Sequence, residues 1–448
     1  MKKANTGVKI SRHLLSTSIY KIILIVGLFL LICNPSRVAS QSKNSYHTLR
    51  EAHAFADNGK VVITAFKAIR YSGIEKDDLF RDIKIYRLLC PDFVFGTDYE
   101  EYFHGLSYTK GELVFQGNID PILGCKYRFV DESAKTNAVY AYWIASSEGE
   151  PLGPLPVKIR DTDVWWSHEK VMNCIEKMKN SYPEYVKVEE IGFSVNRKPL
   201  IGLQVGKGKP VVALIGAIHA GEAGPELIIP ILEKLVEQNL PVMNKISVIA
   251  IPSINCDNRD NLVYGNPWYL RRNANLVDLN RNFPSGWDNV SVTYGYKTSD
   301  PDGLTYRGPF AASEPETGAV MNYLKRYKPG AVFSFHCLAG ICGETLLTSK
   351  ISSEDTAYVS ACYQYSKSYW EGIDSQLLKN QKVHFGCDNG SLPDWCYREL
   401  RIPAFDIEGP VDPCDLAKCA VDGTDVNLLH KYQERLYDGF VKLLSTLQ

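Results

Sequence analysis

Downstream of Asp161, apolar runs of strand length alternate with segments of helical period, and no other feature restricts the fold as strongly. "SHEKVMNCIEKMKNSYP" sets Val171, Ile175 and Met178 on one helical face and must stop before Pro183. "PLIGLQVG" and "PVVALIGAIH" read as strands, "PELIIPILEKLVEQ" as a helix and "ISVIAIPSIN" as another buried strand. "SEPETGAVMNYLKRY" opens with Ser313 and Glu316 at capping-box spacing, which predicts a helix start. "GAVFSFHC" and "IPAFDIEG" are again strands, and "DVNLLHKYQERLYDGFVKLLSTL" is a closing amphipathic helix. The pattern predicts the α/β class, a three-layer α/β/α sandwich with a mixed, largely parallel central sheet over residues 161–448. Ligands of such sheets bind at the carboxyl ends of the strands, and His219, His336 and Glu408 fall at or near such ends.

Residues 60–160 have another texture. "KVVITAFKAI", "DIKIYRLLC", "GELVFQGNI", "CKYRFVD" and "AVYAYWIAS" are short strands between polar turns, which predicts a small β-sandwich over 41–160. The stretch "VYAYWIASSEGEPLGPLPVKIRD" resembles the last two strands of a fibronectin type III module. A module of that kind implies a supporting role, and no catalytic constellation falls in this segment.

Residues 1–50 carry no acid, and Lys2, Lys3, Lys9, Arg12 and Lys21 precede the apolar run "IILIVGLFLLIC". That run is short for a bilayer span and fits the core of a signal peptide over 1–40, with Val38-Ala39-Ser40 as the cleavage site. An uncleaved anchor is the rival reading; Cys33 also suggests a lipoprotein, against which Ile32 occupies a place that wants a small residue. Export implies a secreted, periplasmic or cell-surface protein, with no stable membrane association after cleavage. Twelve cysteines suit an oxidising compartment, and Cys337/Cys342, Cys387/Cys396 and Cys414/Cys419 are near enough in sequence to pair. Tight CxxC pairs are missing, which argues against a metal-cysteine site. Lys+Arg 50 against Asp+Glu 51 gives no electrostatic case for a nucleic-acid partner.

The chemistry-bearing residues lie in the second domain. In "GAIHAGEAGPE", His219 and Glu222 offer two metal ligands from one turn, and His336 at the end of "VFSFH" offers a third. Two His and one carboxylate with an open fourth position form a common catalytic zinc set. Asp406 and Glu408, two apart on a strand, point to the same face, and burying both acids demands partners. Arg271, Arg272 and Arg281 in "YLRRNANLVDLNRNFPSGW" can grip an anion, since guanidinium groups meet carboxylates at two points.

Together these segments resemble the zinc metallocarboxypeptidases of the carboxypeptidase A and D superfamily, with "DLNRNFP" and "YRGPFAASEPET" as further landmarks in the same order. The resemblance runs from about Trp165 to Leu447. It implies one zinc ion per chain held by His219, Glu222 and His336, with Glu408 as general acid/base. It implies Arg271 as the oxyanion-stabilising arginine, with Arg272 one residue away as the alternative. Asn280 and Arg281 would grip the free C-terminal carboxylate of a peptide substrate. Phe385 or His384 stands about where the family has a closing tyrosine, and Leu338 where another tyrosine often follows the third ligand. Asp406 is expected to line the side-chain pocket and favour a basic terminal residue, or else to be neutralised by a neighbouring Arg or by backbone donors. A cell-wall muropeptide carboxypeptidase and a catalytically silent peptide-binding protein are the alternative functions.

Overall fold

The structure is a computed structural model that describes residues 49–67, 82–93, 98–119, 126–146, 150–267, 269–336, 345–373, 383–409 and 426–447. The expected signal peptide, Leu338 and the cysteine pairs 337/342 and 414/419 lie outside the described residues. Tyr46–Gln448 forms one compact unit.

Among the described residues, its amino-terminal part carries seven strands in two antiparallel sheets. The strands are β1 (Leu49–Asp57), β2 (Lys60–Lys67), β3 (Ile83–Leu89), β4 (Glu112–Gly117), β5 (Lys126–Asp131), β6 (Val139–Ala145) and β7 (Leu152–Lys158). One sheet has the order β1-β2-β5 and the other β4-β3-β6-β7. Val61, Ile63 and Tyr127 from the first share an apolar cluster with Ile85, Tyr142 and Val157 from the second. Alternation explains this, because period-2 side chains give each sheet one apolar face to cover. The sheets are tied to the rest of the unit through backbone: Ala56 N–H donates to Tyr264 O at 2.8 Å and Lys158 N–H to Gly265 O at 2.8 Å. Gly265 has φ +114°, and a Cβ there would lie 2.7 Å from Val157, so only glycine fits this junction.

The second part is built on one eight-stranded mixed sheet. Its strands are β8 (Val186–Phe193), β9 (Pro199–Gly206), β10 (Lys209–Ile215), β11 (Ile246–Ile251), β12 (Ala331–His336), β13 (Thr345–Ser349), β14 (Val383–Cys387) and β15 (Ala404–Glu408), in the spatial order β14-β13-β15-β12-β10-β11-β9-β8. The central four, β15-β12-β10-β11, are mutually parallel, while β9 and β13 pair antiparallel to this block. Strand alternation divides the two faces. Val212, Leu214, Phe333, Phe335, Phe405 and Ile407 pack with the helices α1 (His168–Ser181), α2 (Pro225–Gln238), α4 (Thr356–Ile373) and α5 (Val426–Ser445). Ala213, Ile215, Val332 and Ala404 pack on the other side with α3 (Pro315–Tyr327). The α/β/α layering read from the sequence is thus present, and β12 and β15 direct their remaining residues, Ser334, His336, Asp406 and Glu408, to the α3 side.

Two local expectations are corrected. No capping box forms at α3: Glu314 is the N-cap without a side-chain cap bond, because Pro315 occupies the first turn and shifts the start by one residue. Ser313 Oγ instead donates to Glu314 Oε1 at 2.6 Å, and Glu316 Oε1 accepts from Val195 N–H at 3.0 Å. Cys387 and Cys396 are free, buried thiols rather than a disulfide. The Sγ of Cys387 is 3.7 Å from Asp406 Oδ2, whereas Cys396 packs with Phe283 and Trp395 in the apolar cluster under α3.

Candidate metal centre

The loop that follows β10 carries His219 and Glu222, and α2 begins at Pro225 immediately beyond it. Ala217 holds φ 48° just before His219, a left-handed conformation that costs a non-glycine residue about 1–3 kcal/mol. The surrounding contacts fix that bend. Arg259 Nη1 donates to Ala220 O at 2.9 Å and to Glu222 O at 3.0 Å. Tyr269 Oη donates to Glu222 Oε1 at 2.8 Å, and Gly221 makes this possible, since a Cβ there would meet the Tyr269 ring at 2.3 Å. His336 arrives separately, as the last residue of β12.

The three side chains converge. Their donor atoms lie within 4.8 Å of one another, and the two imidazole rings have centroids 5.0 Å apart. His219 Nδ1 is 3.0 Å from Glu222 Oε1, and His336 Nδ1 is 2.8 Å from Glu222 Oε2. All three are buried. Each ring turns its other nitrogen to a carboxylate: His219 Nε2 to Asp278 Oδ1 at 3.1 Å, His336 Nε2 to Asp406 Oδ1 at 3.3 Å. A carboxylate behind an imidazole holds the proton on Nε2 and leaves the Nδ1 lone pair for a metal. The donor set is therefore chemically suited to a divalent cation such as zinc.

The electrostatics have the same origin. Burial alone would raise the Glu222 carboxyl, but the two imidazoles outweigh it and hold its pKa well below the ordinary value. Burial opposes a charged His336, yet Asp406 and Glu222 raise its pKa well above 6.5. Asp278 is likewise held low against burial by Arg271 and His219.

Asp278, the first residue of "DLNRNFP" and one to which the sequence assigns no role, is central. Its Oδ1 accepts from Asn280 N–H at 3.0 Å besides facing His219, and its Oδ2 accepts from Arg271 Nε at 2.8 Å. Arg271 is buried with Nη1 3.5 Å from His219 Nδ1, so its guanidinium borders the candidate metal ligands. Arg272 points elsewhere, donating to the carbonyls of Pro301 and Gly303 at 3.1 Å each. Glu408 is buried and is the register partner of His336 in the parallel pair β12/β15. Asn280 donates from Nδ2 to Asp406 Oδ2 at 2.9 Å and accepts from Leu392 N–H at 2.9 Å. Arg281 is buried, with Nη1 bonded to Asn280 O at 2.7 Å and Nε without a hydrogen-bond partner among the described residues.

Phe385 is not brought to this cluster. It is paired in register with Thr348 and packs half-buried against the core of Phe335, Phe405 and Ile407, on the sheet face opposite Asp406 and Glu408. The physical reason is parity: Leu347 is the partner of both Asp406 and His384, so Phe385 takes the other face. Asp406 faces His336 and Asn280, not an arginine.

A buried His/Glu/His set backed by carboxylates at the carboxyl ends of parallel strands defines the class of α/β metallohydrolase-like centres. Residues 171–414, more than half of the chain, match the family described as zinc carboxypeptidase, and the chain belongs to that family. Mast cell carboxypeptidase A of Homo sapiens is 29% identical over 177 residues, 36% of this chain and 41% of that protein. Carboxypeptidase D of Homo sapiens is 25% identical over 268 residues, 52% of this chain and 18% of that protein. Less than half of either relative is therefore matched. Bovine thrombin-activatable fibrinolysis inhibitor, solved with tick carboxypeptidase inhibitor, shares the fold at a TM-score of 0.51 with 19% identity, over 64% of this chain and 98% of that one. Carboxypeptidase A from Helicoverpa armigera does so at 0.50 with 17% identity, over 82% and 99%.

Proposed function

We propose that the chain is an exported carboxypeptidase that uses one zinc ion to release the last residue of peptides bearing a free C-terminal carboxylate. The observation that carries this reading is the convergence of His219 Nδ1, Glu222 and His336 Nδ1 at one point, with Glu408 registered beside His336 and Arg271 bordering His219. When bound there, zinc supplies Lewis acidity toward the scissile carbonyl.

The residues of the chain do the rest. Glu408 takes a proton from the attacking water and returns it to the leaving amine, a role worth about 10²–10⁴-fold in rate. Arg271, oriented by Asp278, donates toward the negative charge that develops on the carbonyl oxygen. Arg281 and Asn280 receive the terminal carboxylate, and an internal peptide bond would leave this buried cation without a counter-charge. The two antiparallel sheets of the amino-terminal part act as a fibronectin type III-like support, joined through Ala56 and Lys158. Asp406 serves the centre from behind in this proposal, so the preference for basic terminal residues expected from it has no carboxylate left over to supply it.

Purified mature protein should contain one equivalent of zinc and hydrolyse peptides with free carboxyl ends much faster than their C-terminal amides. Chelation should abolish turnover and zinc should restore it. A protein that holds no zinc, or that cleaves neither ordinary peptides nor muropeptides, would sink the reading.

A further inference from the structure

Asp406 joins two parts of the site that have separate tasks. Its Oδ2 accepts from Asn280 Nδ2 at 2.9 Å, and its buried Oδ1, which makes no hydrogen bond among the described residues, lies 3.3 Å from His336 Nε2. The far end of Asn280 is anchored by main chain, because Leu392 N–H donates to Asn280 Oδ1 at 2.9 Å. A peptide N–H can only donate, so Asn280 Oδ1 must accept and its Nδ2 must donate. An ionised carboxylate accepts on both oxygens. Asp406 therefore receives a donor at Oδ2 and turns a buried acceptor with no hydrogen bond of its own toward His336 Nε2, which favours a hydrogen on that nitrogen.

We propose that Asp406 is a positioning residue that sets the tautomer of His336 and the orientation of the Asn280 amide through one relay, Leu392 N–H to Asn280 to Asp406 to His336. The inference rests on the function proposed above. With the hydrogen on Nε2, the His336 Nδ1 lone pair faces Glu222 and the metal position. With Oδ1 of Asn280 fixed on Leu392, the second N–H of Nδ2 is left for a substrate carboxylate. The metal half and the carboxylate-binding half thus share a buried anion, and Ser334 Oγ, 3.2 Å from His336 Nε2, is the other group on the same nitrogen. Cys387 Sγ closes the remaining side at 3.7 Å from Oδ2.

The sharpest test is Asp406→Asn, which keeps the shape and removes the double acceptor. An amide must present its NH2 either to Asn280 Nδ2 or to His336 Nε2. The first opposes two donors; the second drives the imidazole hydrogen to Nδ1, where a metal ligand cannot have it. Zinc affinity of the metal-free protein, measured by competition with a chromophoric chelator, should fall about 10- to 100-fold. The thermal midpoint of the metal-free variant should stay near that of the native protein, a separation that a purely architectural role would not give. At saturating zinc, KM for a free-carboxylate peptide should rise about fivefold or more while kcat changes less.

If Asp406→Asn does not fold, Asn280→Ala carries the test. It touches no metal ligand, yet it should weaken zinc binding about threefold or more by freeing Asp406 from one side. Unchanged zinc affinity in whichever variant folds overturns the relay while leaving the proposed function standing. Failure of the native protein itself to bind zinc overturns both.

Discussion

His336 and Glu408 are register partners at the carboxyl ends of the parallel strands β12 and β15, so the imidazole of a candidate metal ligand and a buried carboxylate project side by side from one sheet face. The backbone ladder between Val332–His336 and Ala404–Glu408 sets this spacing, not a loop. Groups placed by a ladder lose little freedom when substrate arrives, which is what proton transfer requires of a general base.

Glu408→Gln should therefore leave the fold and the zinc content intact while lowering kcat by about 10²–10⁴-fold. Metal analysis and steady-state kinetics on the same preparation check this. Near-native turnover with Gln at this position would remove Glu408 from the chemistry.

Arg281 offers a test of end selection. Its buried guanidinium has an Nε without a hydrogen-bond partner among the described residues, a cost that an arriving anion would offset. Arg281→Met should lower kcat/KM for a free-carboxylate peptide by about 10- to 100-fold, the equivalent of one charge-assisted bond. Hydrolysis of the matching C-terminal amide should barely change. An equal loss on acid and amide would show that Arg281 does not read the carboxylate.

Much of this architecture was legible because periodicity survives without tertiary information. Val212, Leu214, Phe333 and Phe335 alternate with residues of the opposite face, and that pattern placed His336 at a strand end and His219 just beyond one. The edge strands were harder: "VKVEEIGF" and "VHFGC" mix exposed and buried positions and lack the continuous apolar run of the centre. The role of Asp278 depends on a contact with His219 across 59 residues, which no local pattern encodes. Phe385 misled because a one-residue difference in strand parity decides which face a side chain serves, and only the pairing with Thr348 reveals it. Asp406 was correctly placed on the face of Glu408, but whether it meets a pocket, an arginine or a ligand imidazole is a matter of packing.

Arg259 shows how the ligand loop is held. Its guanidinium pairs with Glu226, lies 4.6 Å from the centroid of the Trp165 ring and donates to the carbonyls of Ala220 and Glu222. Arg259 and Glu226 are both almost fully buried, so Arg259→Met strands a carboxylate in the core and should cost about 3–5 kcal/mol of stability. Because two of the lost bonds flank Glu222, zinc affinity should fall as well. Denaturant unfolding and chelator competition measure the two effects, and an undiminished unfolding free energy would refute the assignment.

Glu316 supplies the pH prediction. It is buried at the start of α3, where burial pushes its carboxyl pKa up to about 7 against the backbone bond from Val195, with Asp257 and Glu314 adding repulsion. In the unfolded chain the same group titrates near 4.5. Below about pH 4.5 both states are protonated and the group is neutral in its effect on folding; as pH rises to about 7 the unfolded state ionises first, so the folded state loses stability over that window. The loss reaches at most about 3 kcal/mol above pH 7, from roughly 1.4 kcal/mol per pKa unit. Glu316→Gln, which resembles the protonated acid, should therefore melt at a higher temperature than the native protein at pH 8, with the two midpoints converging toward pH 4.5. Thermal scans of the zinc-saturated pair across that range check the sign, and a pH-independent difference between them would mean that Glu316 does not hold its proton in the folded protein.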